Sequence, residues 1–198
     1  MIDLAPFLAP SAAIDFDAAI VTRLAETIRR DSELPTIRAA YELVRDRFAH
    51  SYDTGAQEVS VSASDVVRLG HGICFAKAHL LAAVLRANRI PAALCYQKLA
   101  RDDQGPGGTC LHGLNAVWLN GRWRRLDPRG NKPATAAPFD PDCERPAYQI
   151  DPARSERDYR DVIAEPLACV LTALRGSRTV AELDRNLPPD RDDLRDGQ

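Results

Sequence analysis

A cysteine and two histidines lie close together in one short stretch of the chain. The sequence GHGICFAKAHLLAAVLR, residues 70–86, places Cys74 after two glycines and at the start of an apolar run, with His71 before it and His79 after it. A cysteine in this setting is a small buried hydrophobe, a metal ligand or a nucleophile, and most cysteines outside disulfides are the first of these. The groups around the sulfur decide which reading applies.

A buried helix is predicted from about Cys74 to Asn88, because the run is apolar on nearly every side. At 100° per residue, Cys74 lies in line with Leu81 and Leu85, on the buried side of that helix. It also lies in the first turn, where unpaired backbone N–H groups and the positive end of the helix dipole stabilise a thiolate. Both features suit a nucleophile, provided that a base is within reach.

Neither nearby histidine is well placed to be that base. His79 lies about 140° round the helix from Cys74, so we expect it on a polar face. His71 precedes Cys74 by three residues in the glycine loop, but nothing in the sequence orients its ring. We therefore interpret His71 as a neighbour of the site and look for the base elsewhere.

The strongest local signal in the chain is a β-hairpin. Residues 111–119 and 122–127 both have strand character, and Asn120-Gly121 stands between them. This dipeptide favours a two-residue type I′ turn, in which the residues that flank the turn pair with each other. The turn therefore fixes the register of the two strands.

That register brings a histidine and a carboxylate together. Leu114 faces Asp127 across the hairpin, and His112 lies two residues from Leu114, so His112 and Asp127 share one face of the sheet. They are diagonal neighbours, with Cα atoms roughly 7–8 Å apart. Asp127 can then accept a hydrogen bond from one ring nitrogen of His112, and the other nitrogen can take the proton of Cys74.

The elements that position these residues predict an α+β fold with helices packed on an antiparallel sheet. Two amphipathic helices open the chain, with apolar side chains at helical spacing: Ile20, Val21, Leu24 and Ile28, then Ile37, Tyr41, Val44 and Phe48. We predict one domain over residues 1–187, with its core at about 35–132, a mobile connection at 101–108 and a flexible tail at 188–198.

The composition excludes several classes of function. The 26 basic and 28 acidic residues are mixed along the chain and give a net charge of -2 and a pI near 6.1. This balance argues against nucleic acid or a membrane as the partner. No apolar run is long enough to span a bilayer, and the first residues lack the basic start of a secretory signal. Five cysteines without a CxxC pair predict reduced thiols and a cytoplasmic location.

Three histidines and two cysteines could in principle form a metal site: His71, Cys74, His79, Cys110 and His112. Their spacings match no established ligand motif, and His79 is expected to face away from Cys74. We therefore predict no metal and no cofactor.

Two stretches carry a family resemblance, GHGICFAKAHLLAAVLRANRIPAALCYQ and LHGLNAVWLNGRWRRLDPRGNK. Together they resemble the transglutaminase-like superfamily of papain-like cysteine enzymes over roughly residues 35–132. The most specific elements are the Gly-x-Cys helix start, LRANRIPA before a strand, and a histidine followed fifteen residues later by Asp-Pro. The bacterial single-domain, cysteine protease-like branch is closer than the calcium-dependent cross-linking enzymes, whose calcium-loop pattern is absent from the sequence.

The resemblance implies a Cys-His-Asp triad of Cys74, His112 and Asp127. Members use such a triad for acyl transfer from amides or for hydrolysis. One oxyanion donor is expected to be the backbone N–H of Cys74, and Gln97 is a weaker candidate for the second donor. The sequence departs from the family pattern two positions after the histidine, where Leu114 replaces an aromatic residue and argues against an indole-walled substrate tunnel.

These observations favour a cysteine-dependent acyl enzyme with a thioester intermediate, acting on a peptide or small amide. Hydrolysis is preferred over amine transfer, because transfer needs an acceptor site that excludes water and the sequence displays none. The alternative is a catalytically inactive transglutaminase-like binding module. The sequence leaves the substrate and the oligomeric state open.

Overall fold

A computed structural model describes residues 2–101, 108–130 and 136–191 of the chain. The helices are α1 (Ala19–Ile28), α2 (Glu33–Arg47), α3 (Ser51–Thr54), α4 (Ala63–Leu69), α5 (Cys74–Ala87), α6 (Ala168–Gly176) and α7 (Val180–Arg185). The strands are β1 (Ala49–His50), β2 (His71–Gly72), β3 (Ala92–Ala100), β4 (Thr109–Leu119), β5 (Arg122–Leu126) and β6 (Arg157–Asp158). Short 3₁₀ helices span Ala5–Leu8 and Pro152–Arg154.

Four of the strands form an antiparallel sheet in the order β5-β4-β3-β6. β3 and β4 pair along their whole length, from Ala92 with Val117 to Ala100 with Thr109, and form the middle of the sheet. The two-residue strands β1 and β2 pair in parallel and form a separate small sheet directly before α5. Helices that pack on an antiparallel sheet confirm the α+β prediction.

The β4–β5 hairpin has the predicted turn and register. Asn120 and Gly121 have φ values of 52° and 77°, the two positive angles that a type I′ turn requires. Trp118 pairs with Trp123, and their rings lie 5.3 Å apart in an edge-to-face contact that packs the end of the hairpin.

Helix α5 runs through the middle of the fold, as predicted. Every residue from Cys74 to Arg86 is buried. The charge of Lys77 is tolerated there because its Nζ donates hydrogen bonds to the carbonyl oxygens of Arg45 and Phe48 at the end of α2. Burial nevertheless lowers the pKa of Lys77 to about 8.

The prediction that His79 lies on a polar face is wrong. Its side chain is in the core, and Nδ1 forms a 2.8 Å hydrogen bond with the carbonyl oxygen of Val61. Burial lowers the pKa of His79 to about 4. The reason is that α5 is covered on all sides, so it has no face for solvent. His79 is therefore excluded as the base for a different reason from the one expected.

The four-stranded sheet has two faces, and α5 covers one of them. Asn115 on β4 donates a hydrogen bond to the carbonyl oxygen of Ala78 on α5, so odd-numbered residues of β4 face the helix. Leu114 points to the opposite face, where it packs with Cys95 in a small second cluster. Because side chains alternate along a strand, His112 shares this second face with Leu114.

The C-terminal helices share the main core, which extends from Ile14 to Leu183. The first residues of the expected tail are hydrogen bonded to β4. The carbonyl oxygens of Pro188 and Pro189 accept from the N–H of Leu111 and the hydroxyl of Thr109, each at 2.8 Å. The rest of that segment, 192–198, and the central part of the expected mobile connection, 102–107, lie outside the described residues.

None of the described helices combines the length and the apolar character that crossing a membrane requires.

Candidate active site

Cys74 meets the sheet at the open edge of β4. Strand β5 pairs with β4 only as far as Leu126 opposite Asn115, and beyond that point no strand among the described residues pairs with this edge of β4. The N–H of Gly113 points out of this edge and donates to Cys74 Sγ at 3.5 Å. A Cβ on Gly113 would lie 2.7 Å from Cδ1 of Phe75, so the close approach of α5 depends on glycine.

Cys74 is the first residue of α5, and 9% of its surface is exposed. The N-cap residue, Ile73, supplies no side-chain hydrogen bond to the first turn of the helix. The positive end of the helix dipole is therefore available to a thiolate or to an oxyanion. Cys74 is therefore enclosed on most sides and keeps a small contact with solvent.

His112 and Asp127 are in direct contact, as the hairpin register predicted. His112 Nε2 and Asp127 Oδ2 are 2.9 Å apart, and the two side chains are 4% and 0% exposed. Because an ionised carboxylate only accepts hydrogen bonds, Nε2 carries the proton and donates it. The Cys74 side chain contributes to the electrostatic environment of His112, and Nδ1 is the ring nitrogen that does not face Asp127.

The buried pair carries opposite charges. Burial alone would lower the pKa of His112, but attraction to Asp127, the hydrogen bond to Asp127 and the nearby Cys74 side chain outweigh it and raise the pKa well above 6.5. Burial would raise the pKa of Asp127, but His112 and two backbone N–H donors bring it below 3.8. The pair therefore favours the protonated form of the imidazole, which has a proton to give.

Three hydrogen-bond donors hold the buried carboxylate of Asp127 in place. Oδ2 accepts from His112 and from the backbone N–H of Ala147 at 2.8 Å, and Oδ1 accepts from the backbone N–H of Arg129 at 3.1 Å. The carbonyl oxygen of the same residue accepts from the Tyr41 hydroxyl at 2.9 Å. A carboxylate held in this way cannot rotate away from the imidazole.

The sequence analysis missed Tyr148 and Arg129. The Tyr148 ring packs against the His112 ring at 4.9 Å with an interplanar angle of 81°. The Tyr148 hydroxyl accepts a 3.2 Å hydrogen bond from Arg129 Nε, and Arg129 Nη1 and Nη2 bind both carboxylate oxygens of Asp53 at 2.7 and 3.1 Å. An aromatic wall is thus present beside His112, although Leu114 cannot supply it.

His50 is a third buried histidine, after His79 and His112, and the sequence did not single it out. Its Nδ1 accepts from the backbone N–H of Tyr52 at 3.4 Å, and the Tyr52 ring lies 5.1 Å away. Burial, followed by the charge of Arg129, lowers its pKa well below 6.5. His50 is therefore neutral at neutral pH and does not compete with His112 as a cation.

Gln97 lies directly opposite His112 on the neighbouring strand β3. Its side chain is buried, and Oε1 has no hydrogen-bond partner among the described residues. Residues opposite each other in an antiparallel pair share a face, so the amide lies beside the imidazole. No hydrogen bond joins Gln97 to Cys74 in the part of the chain that is described, and its role as an oxyanion donor stays a prediction.

The metal site considered from the sequence is not assembled among the described residues, and His71 has a partner outside that set. His71 Nδ1 is hydrogen bonded to the Ser51 hydroxyl at 3.1 Å, so its ring is oriented by α3. His79 is bonded to a carbonyl oxygen in the core. Within residues 2–101, 108–130 and 136–191, no three His, Cys, Asp or Glu side chains are grouped so as to hold a metal ion.

Residues 22–128 match the sequence profile of the transglutaminase-like superfamily, and the match covers just over half of the 198 residues. The chain belongs to the transglutaminase-like superfamily. The family resemblance seen in the sequence is therefore confirmed, and the match begins earlier than the expected core, within α1. Cys74, His112 and Asp127 all lie inside the matched region.

Two solved structures resemble the chain, and the first of them shares its fold. A putative cysteine protease from Cytophaga hutchinsonii superposes with a TM-score of 0.52 at 23% identity, over 65% of this chain and 43% of that chain. The periplasmic domain of TgpA from Pseudomonas aeruginosa gives a TM-score of 0.44 at 18% identity, over 64% of this chain and 48% of that chain. The matched part thus spans less than half of either relative.

No curated protein matches the chain.

Membership in the transglutaminase-like superfamily makes cysteine-based catalysis the general expectation for this site. The fold is the papain-like arrangement in which a helix layer carries the cysteine and a sheet carries the histidine. In this chain the two layers meet at Gly113, the residue next to His112.

Proposed function

We propose that the protein is a cysteine-dependent acyl enzyme in which Cys74 is the nucleophile, His112 the acid and base, and Asp127 the residue that orients His112. The observation that carries the proposal is the buried His112–Asp127 pair, with His112 on β4 next to Gly113, whose N–H donates to the Cys74 sulfur at the start of α5. A helix N-terminus beside a histidine is the setting in which cysteines act as nucleophiles.

In the first half-reaction, Cys74 Sγ attacks the carbonyl carbon of an amide, and the carbonyl oxygen becomes an oxyanion. The intermediate collapses with cleavage of the C–N bond, and His112 gives its proton to the departing amine. The products are a thioester on Cys74, a free amine and a neutral His112 whose Nε2–H still donates to Asp127.

In the second half-reaction, neutral His112 removes a proton from water through Nδ1, and the hydroxide formed attacks the thioester carbonyl. The C–S bond breaks, and the carboxylic acid leaves. The thiolate and the imidazolium are thereby restored. An amine in place of water would give acyl transfer by the same steps, and hydrolysis remains our preferred outcome because it requires no acceptor site.

The oxyanion needs donors aimed at the carbonyl oxygen. The backbone N–H of Cys74, in the uncapped first turn of α5, is the first donor in our proposal. Gln97 is the second, with its Nε2 group as the donor, and its support is a buried amide directly opposite His112 in the sheet.

The substrate in this proposal is a peptide or small amide, because the acyl chemistry requires a carbonyl with an amine leaving group. We place the protein in a reducing compartment such as the cytoplasm, since the reaction needs a free thiol at Cys74 and a disulfide there would abolish it. In the structure all five cysteines are thiols.

The decisive experiment is a screen of amide and ester substrates with detection of an acyl-enzyme by intact mass. We expect a covalent acyl adduct and product release with the wild type and none with Cys74→Ala. Cys143→Ala is the matched control, because Cys143 is an exposed thiol whose loss leaves the site intact.

An adduct that persists in Cys74→Ala would contradict the assignment of the nucleophile. If no substrate acylates the wild type, and iodoacetamide modifies Cys74 no faster than the exposed Cys143, the binding-module alternative replaces the enzyme.

A further inference from the structure

The segment around Tyr148 closes one side of the candidate active site, although it belongs to no helix or strand. The Tyr148 ring meets the His112 ring edge-on at 4.9 Å. The preceding residue, Ala147, donates its backbone N–H to Asp127 Oδ2, the same oxygen that accepts from His112. One short stretch thus contacts both members of the buried pair.

Arg129 holds this segment in place. Its Nε donates to the Tyr148 hydroxyl, and its two terminal nitrogens form a bidentate pair with Asp53. The Arg129 and Asp53 side chains are 8% and 23% exposed. Each of the three guanidinium nitrogens therefore donates to Tyr148 or to Asp53, which fixes the orientation of the Arg129 side chain.

The ion pair also joins the two layers of the fold. Asp53 lies on α3, which follows β1, and β1 pairs with β2 directly before Cys74. Arg129 follows Asp127 by two residues at the end of β5. A contact between these segments fixes the sheet side of the site, with His112, relative to the helix side, with Cys74.

We propose that Tyr148 is a positioning residue for His112, locked by Arg129 and Asp53, and that its ring keeps water away from the His112–Asp127 hydrogen bond. The inference rests on the proposed function, which gives His112 its role. Asp127 attracts His112 strongly because the medium around the pair is dry, and water would weaken that attraction. The Tyr148 ring is the aromatic contact on the imidazole.

The sign of the effect on His112 follows from its present state. The pKa of His112 is well above 6.5 because the attraction of Asp127 exceeds the cost of burial. Water at the pair reduces both effects and brings the pKa back towards 6.5, which is a decrease. The imidazolium would then lose its proton at a lower pH than in the wild type.

The test measures the rate of Cys74 alkylation by iodoacetamide as a function of pH in the wild type, Tyr148→Ala, Tyr148→Phe and Asp53→Asn. The inflection at higher pH reports loss of the His112 proton. We expect Tyr148→Ala to move it to lower pH by about one unit. Tyr148→Phe keeps the ring and loses the bond to Arg129, so it should give a smaller shift in the same direction, as should Asp53→Asn.

With a substrate in hand, kcat should fall at least tenfold in Tyr148→Ala while KM changes little, because the ring orients His112 rather than the acyl group. Tyr159→Phe is the matched control. Tyr159 also loses a hydrogen bond, to Asp190, but it lies away from the pair and should leave the pH profile unchanged.

A Tyr148→Ala profile that superimposes on the wild-type profile overturns the positioning role while leaving the proposed function standing. A wild-type Cys74 that reacts like an ordinary thiol overturns both. If Tyr148→Ala does not fold, the direction of the shift in Tyr148→Phe and Asp53→Asn decides the question, and no shift in either refutes the inference.

Discussion

Replacing Gly113 by alanine tests whether the contact between β4 and the start of α5 sets the reactivity of Cys74. The new Cβ would lie 2.7 Å from Phe75 Cδ1 and 3.3 Å from Phe75 Cα. The ring would have to move by roughly 0.7 Å to reach the 3.4 Å at which ordinary van der Waals contact begins. The Cα cannot rotate away, so the first turn of α5 has to move with the ring.

Two quantities should change in Gly113→Ala. Overpacking of this kind costs about 1–3 kcal/mol, which urea unfolding measures. Cys74 Sγ accepts a hydrogen bond from the N–H of Gly113, and Cys74 directly precedes Phe75. The movement of Phe75 should therefore carry the Cys74 sulfur away from His112. A misplacement approaching 1 Å lowers the rate by about 10- to 100-fold. The assay is the alkylation rate of Cys74 at pH 7, mapped by peptide mass spectrometry with Cys143 as the internal reference.

Gly176→Ala is the matched control, because a Cβ at the end of α6 meets no atom within 4 Å. It should keep the wild-type alkylation rate and should be as stable as the wild type or slightly more stable. If Gly113→Ala folds with wild-type stability and wild-type alkylation, the close approach at Gly113 does not position Cys74 and our reasoning fails.

Three further outcomes are expected. Gln97→Ala should lower turnover by about 10²–10³-fold and leave Cys74 alkylation unchanged if Gln97 binds the oxyanion, and equal loss of both would refute this role. Asp127→Asn removes the charge that raises the pKa of His112, so alkylation near pH 6 should fall at least tenfold. The His112–Asp127 pair contributes its full stability between pH 3.8 and pH 6.5, which are the pKa values of Asp and His in the unfolded chain. At lower pH the contribution is lost as the folded protein protonates Asp127, and at higher pH it is lost as the folded protein deprotonates His112. Urea unfolding of the Asn variant should lack this dependence. Lys77, with its pKa lowered from 10.5 to about 8, should make the wild type more stable as pH rises through that interval, and Lys77→Met should abolish the rise.

The half of the site on the hairpin was predictable because its determinants are local. Asn120 and Gly121 specify the turn, the turn specifies the register, and the alternation of a strand then places His112 beside Asp127. Each step depends on residues close to each other in the chain. The identity of the ring nitrogen that faces Asp127 was not fixed by these rules and required the structure.

The approach of Cys74 was predictable only in part. The helical wheel placed its side chain inward, but the meeting point depends on where β5 ends and on the missing side chain of Gly113. Both features depend on the tertiary structure and leave no periodic pattern in the sequence. The error at His79 has a related cause: a helix buried on all sides accepts a polar residue wherever a backbone carbonyl, here that of Val61, reaches it.

Tyr148, Arg129 and Asp53 could not be found from patterns. Tyr148 lies in an irregular stretch, where neither helical nor strand periodicity indicates which way a side chain points. Asp53 is separated from Arg129 by 76 residues in the chain. Whether two residues so far apart in the chain meet depends on how the layers pack, and rules applied to a single sequence do not predict that packing.

The placement of His112 and Asp127 on one hairpin has a consequence for the order of folding. A two-residue turn brings its strands together with little loss of loop entropy, and hairpins form within about 1–10 μs. Cys74 lies 39 residues before Gly113 and joins only when α5 docks on the sheet. We therefore expect the carboxylate–imidazole contact to form early in refolding and the thiol to become reactive late. The alkylation rate of Cys74 during refolding would then serve as a clock for the docking of the two layers.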